Sequence, residues 1–463
     1  MTTGFTGVRI TGGAVPFQIV QQNENGLGTM MVSGLWCHES SHGTVQLRLV
    51  CETDGNVVSE QTNWQNVVDQ DDENWSHSFD KIPAGGLYRL ETRLSVEGAA
   101  PEWGSHGDIV HHLGVGDLWI IGGQSNAAGY GRGPVNDPPQ LGVHILRNDE
   151  MWDLAAHPLN DTTRSTHPNV ENANPGHSPY LRFAKDLQDA LGFPIGLIQT
   201  SLGGSPLSAW NPVENPEAPL FHNLIHCCNL AGGKVKGMVW YQGESDCGID
   251  LAQSYEDRFD DFIRHLRDSL GHPDLPVITA QLNRYTDRQD EIGHRGWSIV
   301  REAQRGVEKI GNIAVVSTLD LSISDLIHTS SPGNLTLGER KAKAALSMVY
   351  GRNVSWRAPD VQLARSTDDG QAIILTFEHV QNRLEFLGPG DKDFNVEDAQ
   401  GFVEIVQASC PTWDTVRLDL SRKIAAPACV HGCFGAYPQS NLRDAESNIP
   451  ILGFYDLKVQ SGE

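Results

Sequence analysis

Long apolar runs are missing from this sequence, and none approaches the roughly 20 residues that a helix needs to cross a bilayer. The stretch from Met1 to Gly13 also lacks the basic-then-apolar order of a secretory signal. We therefore expect a soluble protein with no membrane partner. A cytoplasmic location stays open, as does a periplasmic or secreted one from which a signal has been removed.

Basic residues are scarce in the chain. It has 34 Lys and Arg residues against 58 Asp and Glu, which gives a formal net charge of −24 at pH 7. Nucleic acids and anionic lipids are bound by clusters of positive charge, so this excess of acid argues against both as partners. A neutral carbohydrate meets no such repulsion, whereas a polyanionic one is slightly disfavoured.

Cysteine pairs of the C-x-x-C type are also absent among the eight cysteines. The segment CVHGC, Cys429–Cys433, is compatible with a metal ion or a small disulfide. Because no second pair of ligands accompanies it, ordinary thiols near a turn are the favoured interpretation.

Strand-like and helix-like patterns divide the chain into three parts. A chain of 463 residues is too long for one ordinary core, so more than one domain is expected. Short alternating strands fill the part before residue 114 and return after residue 350. We predict a β-sandwich-like accessory domain over residues 1–113, an α/β domain over 114–350 and a β-rich domain over 351–463.

The middle part alternates short apolar strands with helical patterns, which is typical of a parallel sheet covered by helices. Its strand candidates are Leu118–Ile121, Ile195–Thr200, Val235–Tyr241, Pro276–Leu282 and Asn312–Thr318. Ligands of such sheets bind at the carboxyl ends of the strands. Four polar motifs follow these strands and are therefore the candidates for a functional site.

The motif GGQSN, Gly122–Asn126, directly follows the first of these strands. Its glycines permit a tight turn and close backbone approach, so the Ser125 hydroxyl can be exposed with the Ser125 N–H aimed at the same point. This arrangement suits a nucleophilic serine. Gln124 and Asn126 are expected to hold the turn and to contact a substrate.

The motif QTSLGGSPLSAW, Gln199–Trp210, follows the second strand. At Gly203 and Gly204 a backbone N–H can approach an oxyanion without obstruction by a side chain, although an ordinary strand-exit turn explains the glycines equally well. Trp210 is a candidate wall of a loose sugar groove.

The motif WYQGESD, Trp240–Asp246, follows the third strand and is rich in hydrogen-bonding groups. Either Gln242 or Ser245 can donate to an oxyanion. Glu244 is a candidate substrate contact, but bracing of the loops is the favoured role for this carboxylate.

The motif DLIH, Asp325–His328, follows the last strand. The Asp325 carboxylate can hold the imidazole Nδ1 of His328 and leave Nε2 to take the proton of a serine hydroxyl. Asp320 is a less favoured alternative acid. A capping-box pattern, Thr336–Glu339, places the start of a helix shortly after the histidine.

These motifs resemble those of the SGNH/GDSL hydrolase superfamily, and within it the sialate O-acetylesterase-like and acetylxylan-esterase-like carbohydrate esterases. The matching residues are Gly123–Asn126, Trp240–Asp246 and Asp325–His328. The resemblance implies a flavodoxin-like, three-layer α/β/α SGNH hydrolase domain with a parallel sheet, flanked by N- and C-terminal β-rich accessory domains.

The resemblance also implies the roles of individual residues. Ser125 would be the nucleophile, His328 the general base and acid, and Asp325 the residue that orients the histidine. The N–H groups of Ser125 and Gly204 would form the oxyanion hole. Ser245 stands where relatives often carry an asparagine as third donor, and Gln242 is the alternative for that role.

The implied reaction removes O-acetyl groups from acetylated carbohydrates through an acetyl-enzyme, without a metal ion or an organic cofactor. Xylan, xyloglucan or derived oligosaccharides are the favoured substrates. A sialic acid O-acetylesterase, a broad short-chain acyl esterase and a non-catalytic carbohydrate-binding protein are the alternatives. The polar stretch from Arg132 to His177 is expected to overhang the site as a lid or a sugar-binding wall.

Overall fold

The computed structural model describes residues 5–38, 43–96, 105–168, 170–171 and 175–461. The strands of its N-terminal and central parts are β1 Gly7–Gly12, β2 Ile19–Gln21, β3 Leu27–Cys37, β4 Gly43–Cys51, β5 Gln65–Asn66, β6 Asp69–Gln70, β7 Asn74–Pro83, β8 Gly85–Val96, β9 Ser105–Gly123, β10 Val143–Leu146, β11 Trp152–Leu154, β12 Ile195–Gln199, β13 Gly237–Tyr241, β14 Val277–Ala280 and β15 Ile313–Val316. The central sheet has the order β11-β10-β12-β9-β13-β14-β15.

The central sheet is parallel except at β11, which pairs antiparallel with β10. Every residue of β12, β13, β14 and β15 is buried, because helices rather than solvent cover the sheet. All five strand candidates of the sequence are confirmed, four of them within a few residues, while Leu118–Ile121 lies near the end of the longer strand β9. The mixed α/β class is confirmed with them.

The helices of the described chain are α1 Ser125–Ala128, α2 Tyr180–Leu191, α3 Pro219–Leu230, α4 Ile249–Gln253, α5 Tyr255–Ser269, α6 Glu291–Gly306 and α7 Ser331–Met348. Helix α5 buries Tyr255, Phe259, Phe262, Ile263 and Leu266 along one stripe, as its helical spacing dictates. None of these helices is both long and apolar enough to cross a membrane.

Helices α2 and α5 cover opposite faces of the central sheet. Phe183 of α2 packs on Trp119 of β9 at 5.1 Å between ring centroids, and Phe262 of α5 packs on Trp240 of β13 at 4.9 Å. Trp119 is paired with Gly237, three residues before Trp240, so the two tryptophans point to opposite sides of the pleat. The sheet therefore lies between two layers of helix.

The predicted capping box, Thr336–Glu339, is wrong as a helix start. Helix α7 begins five residues earlier, where the Ser330 side chain accepts a hydrogen bond from the Gly333 N–H. Pro332 then occupies the first turn, which tolerates proline because the N–H groups there have no partner inside the helix.

Strand β9 belongs to two sheets. Its first part pairs antiparallel with β8, and its second part, from Asp117 onward, pairs parallel with β12 and β13. The predicted boundary between residues 113 and 114 therefore falls inside one continuous strand. Strand β2 also pairs with β9 across residues 114–116, which fastens the N-terminal part to the central sheet.

The C-terminal part is made of strands β16 Asp360–Ser366, β17 Ala372–Glu378, β18 Leu384–Phe386, β19 Phe394–Asp398, β20 Gly401–Val403, β21 Ile405–Ser409, β22 Thr415–Leu420, β23 Ala428–Gly432, β24 Leu442–Asp444 and β25 Phe454–Gln460. Eight of them form a sheet of order β20-β19-β23-β25-β16-β17-β22-β21. Apolar side chains of these strands form a core of their own, separate from that of the central sheet.

Candidate active site

The four sequence motifs meet at one edge of the central sheet. GGQSN ends β9, QTSLGGSPLSAW follows β12, WYQGESD begins in β13, and DLIH lies between β15 and α7. Because these strands are parallel, their carboxyl ends share that edge. Side chains from distant parts of the sequence can therefore contact one another there.

Ser125 is the first residue of α1, directly after a turn that only glycine can make. Gly123 has φ +118°, and a Cβ there would collide with the carbonyl of Tyr241 on the neighbouring strand. The Gln124 N–H donates to that same carbonyl at 2.9 Å. The turn is thus held tightly against β13, and this contact fixes the position of Ser125.

His328 and Asp325 form a hydrogen-bonded pair. Nδ1 of His328 lies 2.7 Å from Oδ2 of Asp325, while Asp325 Oδ1 accepts the N–H groups of Ile327 and His328 at 2.9 and 2.8 Å. Partial burial opposes ionisation of Asp325, but these hydrogen bonds outweigh it and hold the pKa of the carboxyl below its ordinary value. An ionised Asp325 accepts the Nδ1 proton and leaves Nε2 of His328 as the basic atom.

The alternative acid, Asp320, pairs with an arginine instead of the histidine. Both of its carboxylate oxygens accept hydrogen bonds from Arg340 of α7, each at 2.7 Å. A bidentate pair of this kind has a strong preferred geometry. The structure therefore places Asp325, and not Asp320, on the histidine.

Asn126 connects the serine turn to the histidine loop. Its Nδ2 donates to the Ile327 carbonyl at 3.3 Å, and its Oδ1 accepts the Thr329 N–H at 2.9 Å. These are the two residues that flank His328. Because Asn126 directly follows Ser125, this clamp holds the backbone of the histidine beside the backbone of the serine.

Glu244 supports the same clamp from the third motif. Its Oε1 accepts from Asn126 Nδ2 at 2.7 Å, while its Oε2 is buried and has no hydrogen-bond partner among the residues described. Burial raises the pKa of Glu244. The position fits the bracing role that the sequence favoured for this carboxylate.

Two backbone N–H groups remain available as oxyanion donors. Within the described chain, neither the Ser125 N–H nor the Gly204 N–H has a hydrogen-bond acceptor. Gly204 has φ +68°, and the Ser245 hydroxyl donates to its carbonyl at 3.2 Å. Ser245 thus lies beside Gly204 and holds it.

The side-chain amide of Gln242 is fully buried and already engaged. Its Nε2 donates to Asp246 at 2.6 Å and to the Ser205 carbonyl at 3.3 Å, and its Oε1 accepts from Tyr255. The Gln124 amide differs, because only its Oε1 accepts hydrogen bonds, from the N–H groups of Gly243 and Ser245 and from Gln242 Nε2. The Nε2 of Gln124 has no acceptor in the part of the chain that the structure describes.

Trp210 does not line a sugar groove. Its side chain is fully buried, its indole N–H donates to Ser205 Oγ at 3.1 Å, and its ring packs against Trp240 at 5.2 Å. The prediction of a substrate contact is wrong here, because two large apolar faces bury each other in preference to facing water.

The stretch from Arg132 to His177 contributes residues that the sequence analysis missed. It is not one long lid, since it contains β10 and β11. The ring of Tyr130, just ahead of it, stacks on His328 with centroids 4.8 Å apart. The Tyr130 hydroxyl donates to Glu171 at 2.7 Å, and Glu171 also accepts the Gly203 N–H at 2.5 Å.

Glu171 therefore joins the histidine to the turn that carries Gly204. It is buried, and this desolvation raises the pKa of its carboxyl. The only sequence signal for this pair was Tyr130 itself, a large aromatic residue in the otherwise small-residue run after GGQSN. The sequence around Glu171 does not predict its contact with Gly203, which is 32 residues away.

Comparisons with known proteins identify the family of the chain. A family model described as "Carbohydrate esterase, sialic acid-specific acetylesterase" matches residues 115–347. A probable carbohydrate esterase of Arabidopsis thaliana is 30% identical over 258 residues, which cover 50% of this chain and 90% of that protein. The human sialate O-acetylesterase is 28% identical over 212 residues, but the match covers 37% of this chain and 38% of that enzyme.

Among solved structures, a carbohydrate acetylesterase from Xanthomonas citri has a related fold over almost the whole chain. The TM-score is 0.67 at 23% identity, with 96% of this chain and 99% of that chain covered. The chain thus belongs to the sialate O-acetylesterase-like family of SGNH carbohydrate esterases, and its enzyme class is carbohydrate O-acetylesterase.

Proposed function

We propose that the protein is a serine esterase that removes O-acetyl groups from acetylated polysaccharides, such as xylan or xyloglucan, or from their oligosaccharides. The observation that carries this proposal is the Asp325–His328 pair, held at 2.7 Å and clamped by Asn126 next to Ser125. A serine, a basic imidazole nitrogen and an orienting carboxylate are the groups that acyl transfer requires.

In this mechanism the Ser125 Oγ attacks the acetyl carbonyl while Nε2 of His328 takes the hydroxyl proton. The C–O bond to the sugar breaks, and His328 gives its proton to the leaving sugar oxygen. Water, deprotonated by the same Nε2, then attacks the acetyl-enzyme. The bond to Ser125 Oγ breaks, His328 returns the proton to that oxygen, and acetate is released.

The negative charge that forms on the carbonyl oxygen needs donors in place before the reaction. We assign this role to the N–H groups of Ser125 and Gly204, with Gln124 Nε2 as a further donor to the substrate or the oxyanion. Gln242 and Ser245 then act by holding Gln124 and Gly204 in position. Loss of one such donor costs about 10²–10³ in turnover in related chemistry.

A neutral sugar fits the charges around His328 better than an acidic one. Asp325 is bonded to the histidine, and the charges of Glu171 and Glu244 also act on it. The carboxylate of a sialic acid would face these like charges in addition to the net charge of −24. The sialate O-acetylesterase relatives favour the sialic acid alternative, and a broad short-chain acyl esterase is the third candidate.

We also propose that residues 114–350 form a flavodoxin-like, three-layer hydrolase domain flanked by two β-rich accessory domains. Three groups of buried apolar side chains support this division, each drawn mainly from one part of the chain. The strand shared at β9 makes the N-terminal part an extension of the hydrolase sheet rather than a freely moving module.

The test is acetate release, measured first with a chromogenic acetate ester and then across acetylated xylan, acetylated xyloglucan and O-acetyl sialic acid. We expect hydrolysis of the chromogenic ester, faster turnover of the neutral glycans than of the sialic acid, and no turnover in Ser125→Ala. Absence of hydrolysis in the native chain, or full activity of Ser125→Ala, would contradict the esterase. Preference for O-acetyl sialic acid would contradict only the choice of sugar.

A further inference from the structure

Among the described residues, three clusters outside the Asp325–His328 pair bring histidine nitrogens close to carboxylate oxygens. They are Asp137–His157–His177, Glu397–Cys429–His431 and Glu150–His167–His226, and in each the potential ligand atoms lie within 4.8 Å of one another. A histidine binds a metal ion only through a nitrogen that carries a lone pair, so the second hydrogen bond of each ring decides which cluster can do so.

In the first two clusters the histidine nitrogen that faces the carboxylate carries a proton and therefore has no free lone pair. In the first, His157 Nδ1 accepts the Ser178 N–H at 3.4 Å, so its Nε2 carries the proton that it shares with Asp137. In the second, His431 Nδ1 accepts the Asp456 N–H at 2.9 Å, which places the proton on Nε2, facing Glu397. These contacts are complete hydrogen bonds without a metal ion.

His167 has the opposite arrangement. Its Nδ1 lies 2.6 Å from the Asn223 side-chain oxygen, which can only accept, so the proton is on Nδ1 and Nε2 keeps its lone pair. The His167 side chain is only 4% exposed. Its buried Nε2 has no hydrogen-bond partner within the described residues, and it faces Glu150 Oε1 at 3.6 Å.

The other two groups supply the remaining ligands. His226 of α3 places its Nε2 3.0 Å from the same Glu150 oxygen, to which it donates a proton when no metal ion is bound. This half-exposed ring makes no second hydrogen bond among the described residues, so its proton can move to Nδ1 and leave the Nε2 lone pair for a metal ion. Two imidazole nitrogens and one carboxylate oxygen at these separations match the donor types of Zn²⁺, which binds such atoms at about 2.0–2.2 Å. Asn223 supplies the outer hydrogen bond that fixes the ring of a metal-bound histidine.

We propose that Glu150, His167 and His226 form a binding site for a divalent transition-metal ion of the zinc class. The ion would join the turn between β10 and β11, the segment before Glu171, and helix α3. That segment is already tied to the same turn, since Thr166 N–H donates to the Asn148 carbonyl at 3.1 Å. The site lies outside the Asp325–His328 pair, so its role is to fix the segment that carries Glu171 rather than to take part in acyl transfer.

The experiment uses the full chain without an affinity tag, freed of metal with a chelator. Zn²⁺ binding is measured by calorimetry, and Co²⁺ is added separately to record the visible absorption of the bound ion. We expect one tight equivalent of Zn²⁺ and a Co²⁺ spectrum. His226→Ala removes an exposed ligand, so the fold should persist while the affinity falls by more than about 100-fold, given that even outer partners are worth about 10–100-fold.

Two control variants decide between this site and the alternatives. His222→Ala, one turn earlier on α3 and also exposed, should bind Zn²⁺ like the native chain. Cys429→Ser disables the competing cluster in the C-terminal sheet and should also have no effect. The proposal is overturned if the native chain binds no tight equivalent, if His226→Ala binds as tightly as the native chain, or if Cys429→Ser abolishes binding.

Discussion

Two regions of the molecule build the candidate site in different ways. The strand-end segments carry Ser125, Gly204 and the Asp325–His328 pair, and each follows a buried strand of one sheet. The stretch from Arg132 to His177 joins β9 to β12, includes β10 and the edge strand β11, and reaches the site through Glu171. In the proposed mechanism the first region supplies the reacting groups, whereas the second supports them from outside.

The difference lies in how each group is fixed. His328 is held by Asp325 three residues earlier, and Ser125 by a turn pressed on the neighbouring strand. The Glu171 carboxylate, in contrast, accepts hydrogen bonds from Asn160, Tyr130 and Gly203, which are 11, 41 and 32 residues away. Substitutions in the first region should therefore stop the chemistry, and those in the second should weaken it or affect stability.

The largest effect is expected for His328→Ala. Without Nε2 no group takes the Ser125 proton, so turnover of the chromogenic ester should fall about 10⁴-fold or more. Because His328 is partly exposed and lies in a loop, the fold should survive. Circular dichroism and the thermal midpoint provide the control, and a folded variant with near-native turnover would refute the assignment of the base.

Asp325→Asn comes next and separates the two candidate acids. An amide at this position no longer favours the Nδ1 proton, so kcat should fall roughly 10³-fold, somewhat less than at fully buried triads because Asp325 is 47% exposed. Asp320→Asn is the matched control. It weakens the pair with Arg340 but leaves His328 untouched, so its kcat should stay within about threefold of the native value. A larger loss of kcat in Asp320→Asn than in Asp325→Asn would mean that Asp320 orients the histidine.

These strand-end residues were readable from the sequence because each signal is local. Glycines next to a serine, or an acid three residues before a histidine, report a turn whose geometry depends on few neighbours. Parallel strands then bring such turns to one edge without further information. The fold class and the five strands were predictable for the same reason, since buried strands and amphipathic helices follow the hydrophobic pattern.

Residues fixed by distant partners were not predictable in this way. Nothing near Glu171 indicates Gly203, and nothing near Trp210 reveals that Trp240 buries its ring. The false capping box at Thr336–Glu339 has a related cause, because Ser330 offers an equally good cap at the true start of the helix. Whether Ser330 or Thr336 caps the helix depends on how the helix packs in the folded protein, and a single sequence does not reveal that packing.

Glu171→Gln tests the supporting region within the site. The amide keeps one acceptor for the Gly203 N–H, but the Tyr130 hydroxyl must turn to accept from the new NH₂ group, and both contacts lose the charge of the carboxylate. We expect about a 10-fold loss of kcat through displacement of the Gly204 turn, with the chain still folded. Tyr130→Phe keeps the ring on His328 and should lose less. A loss as large as that of His328→Ala would place Glu171 among the reacting groups. The division between reacting strand-end segments and a supporting stretch would then be wrong.

Asp137→Asn should have the smallest effect on turnover, within about twofold, and should act on stability instead. The Asp137 side chain is 2% exposed and accepts from His157, His177 and Lys185 at 3.0, 3.1 and 2.9 Å. Burial opposes ionisation, but these three partners hold the pKa of Asp137 far below its ordinary value. Loss of the charge should lower the free energy of unfolding at neutral pH by about 3 kcal/mol.

The way in which stability depends on pH follows from the lowering of the Asp137 pKa. A carboxyl whose pKa is lowered by folding stabilises the native state fully above the ordinary Asp value of about 3.9, and this contribution is lost as the pH falls below it. Urea unfolding at a series of pH values should therefore show the gap between native chain and Asp137→Asn shrinking below about pH 4. Asp189→Asn, an exposed change on α2, should stay within about 0.5 kcal/mol of the native chain throughout. A gap that is constant with pH would mean that Asp137 acts by packing alone, because only the ionised carboxylate distinguishes the two explanations.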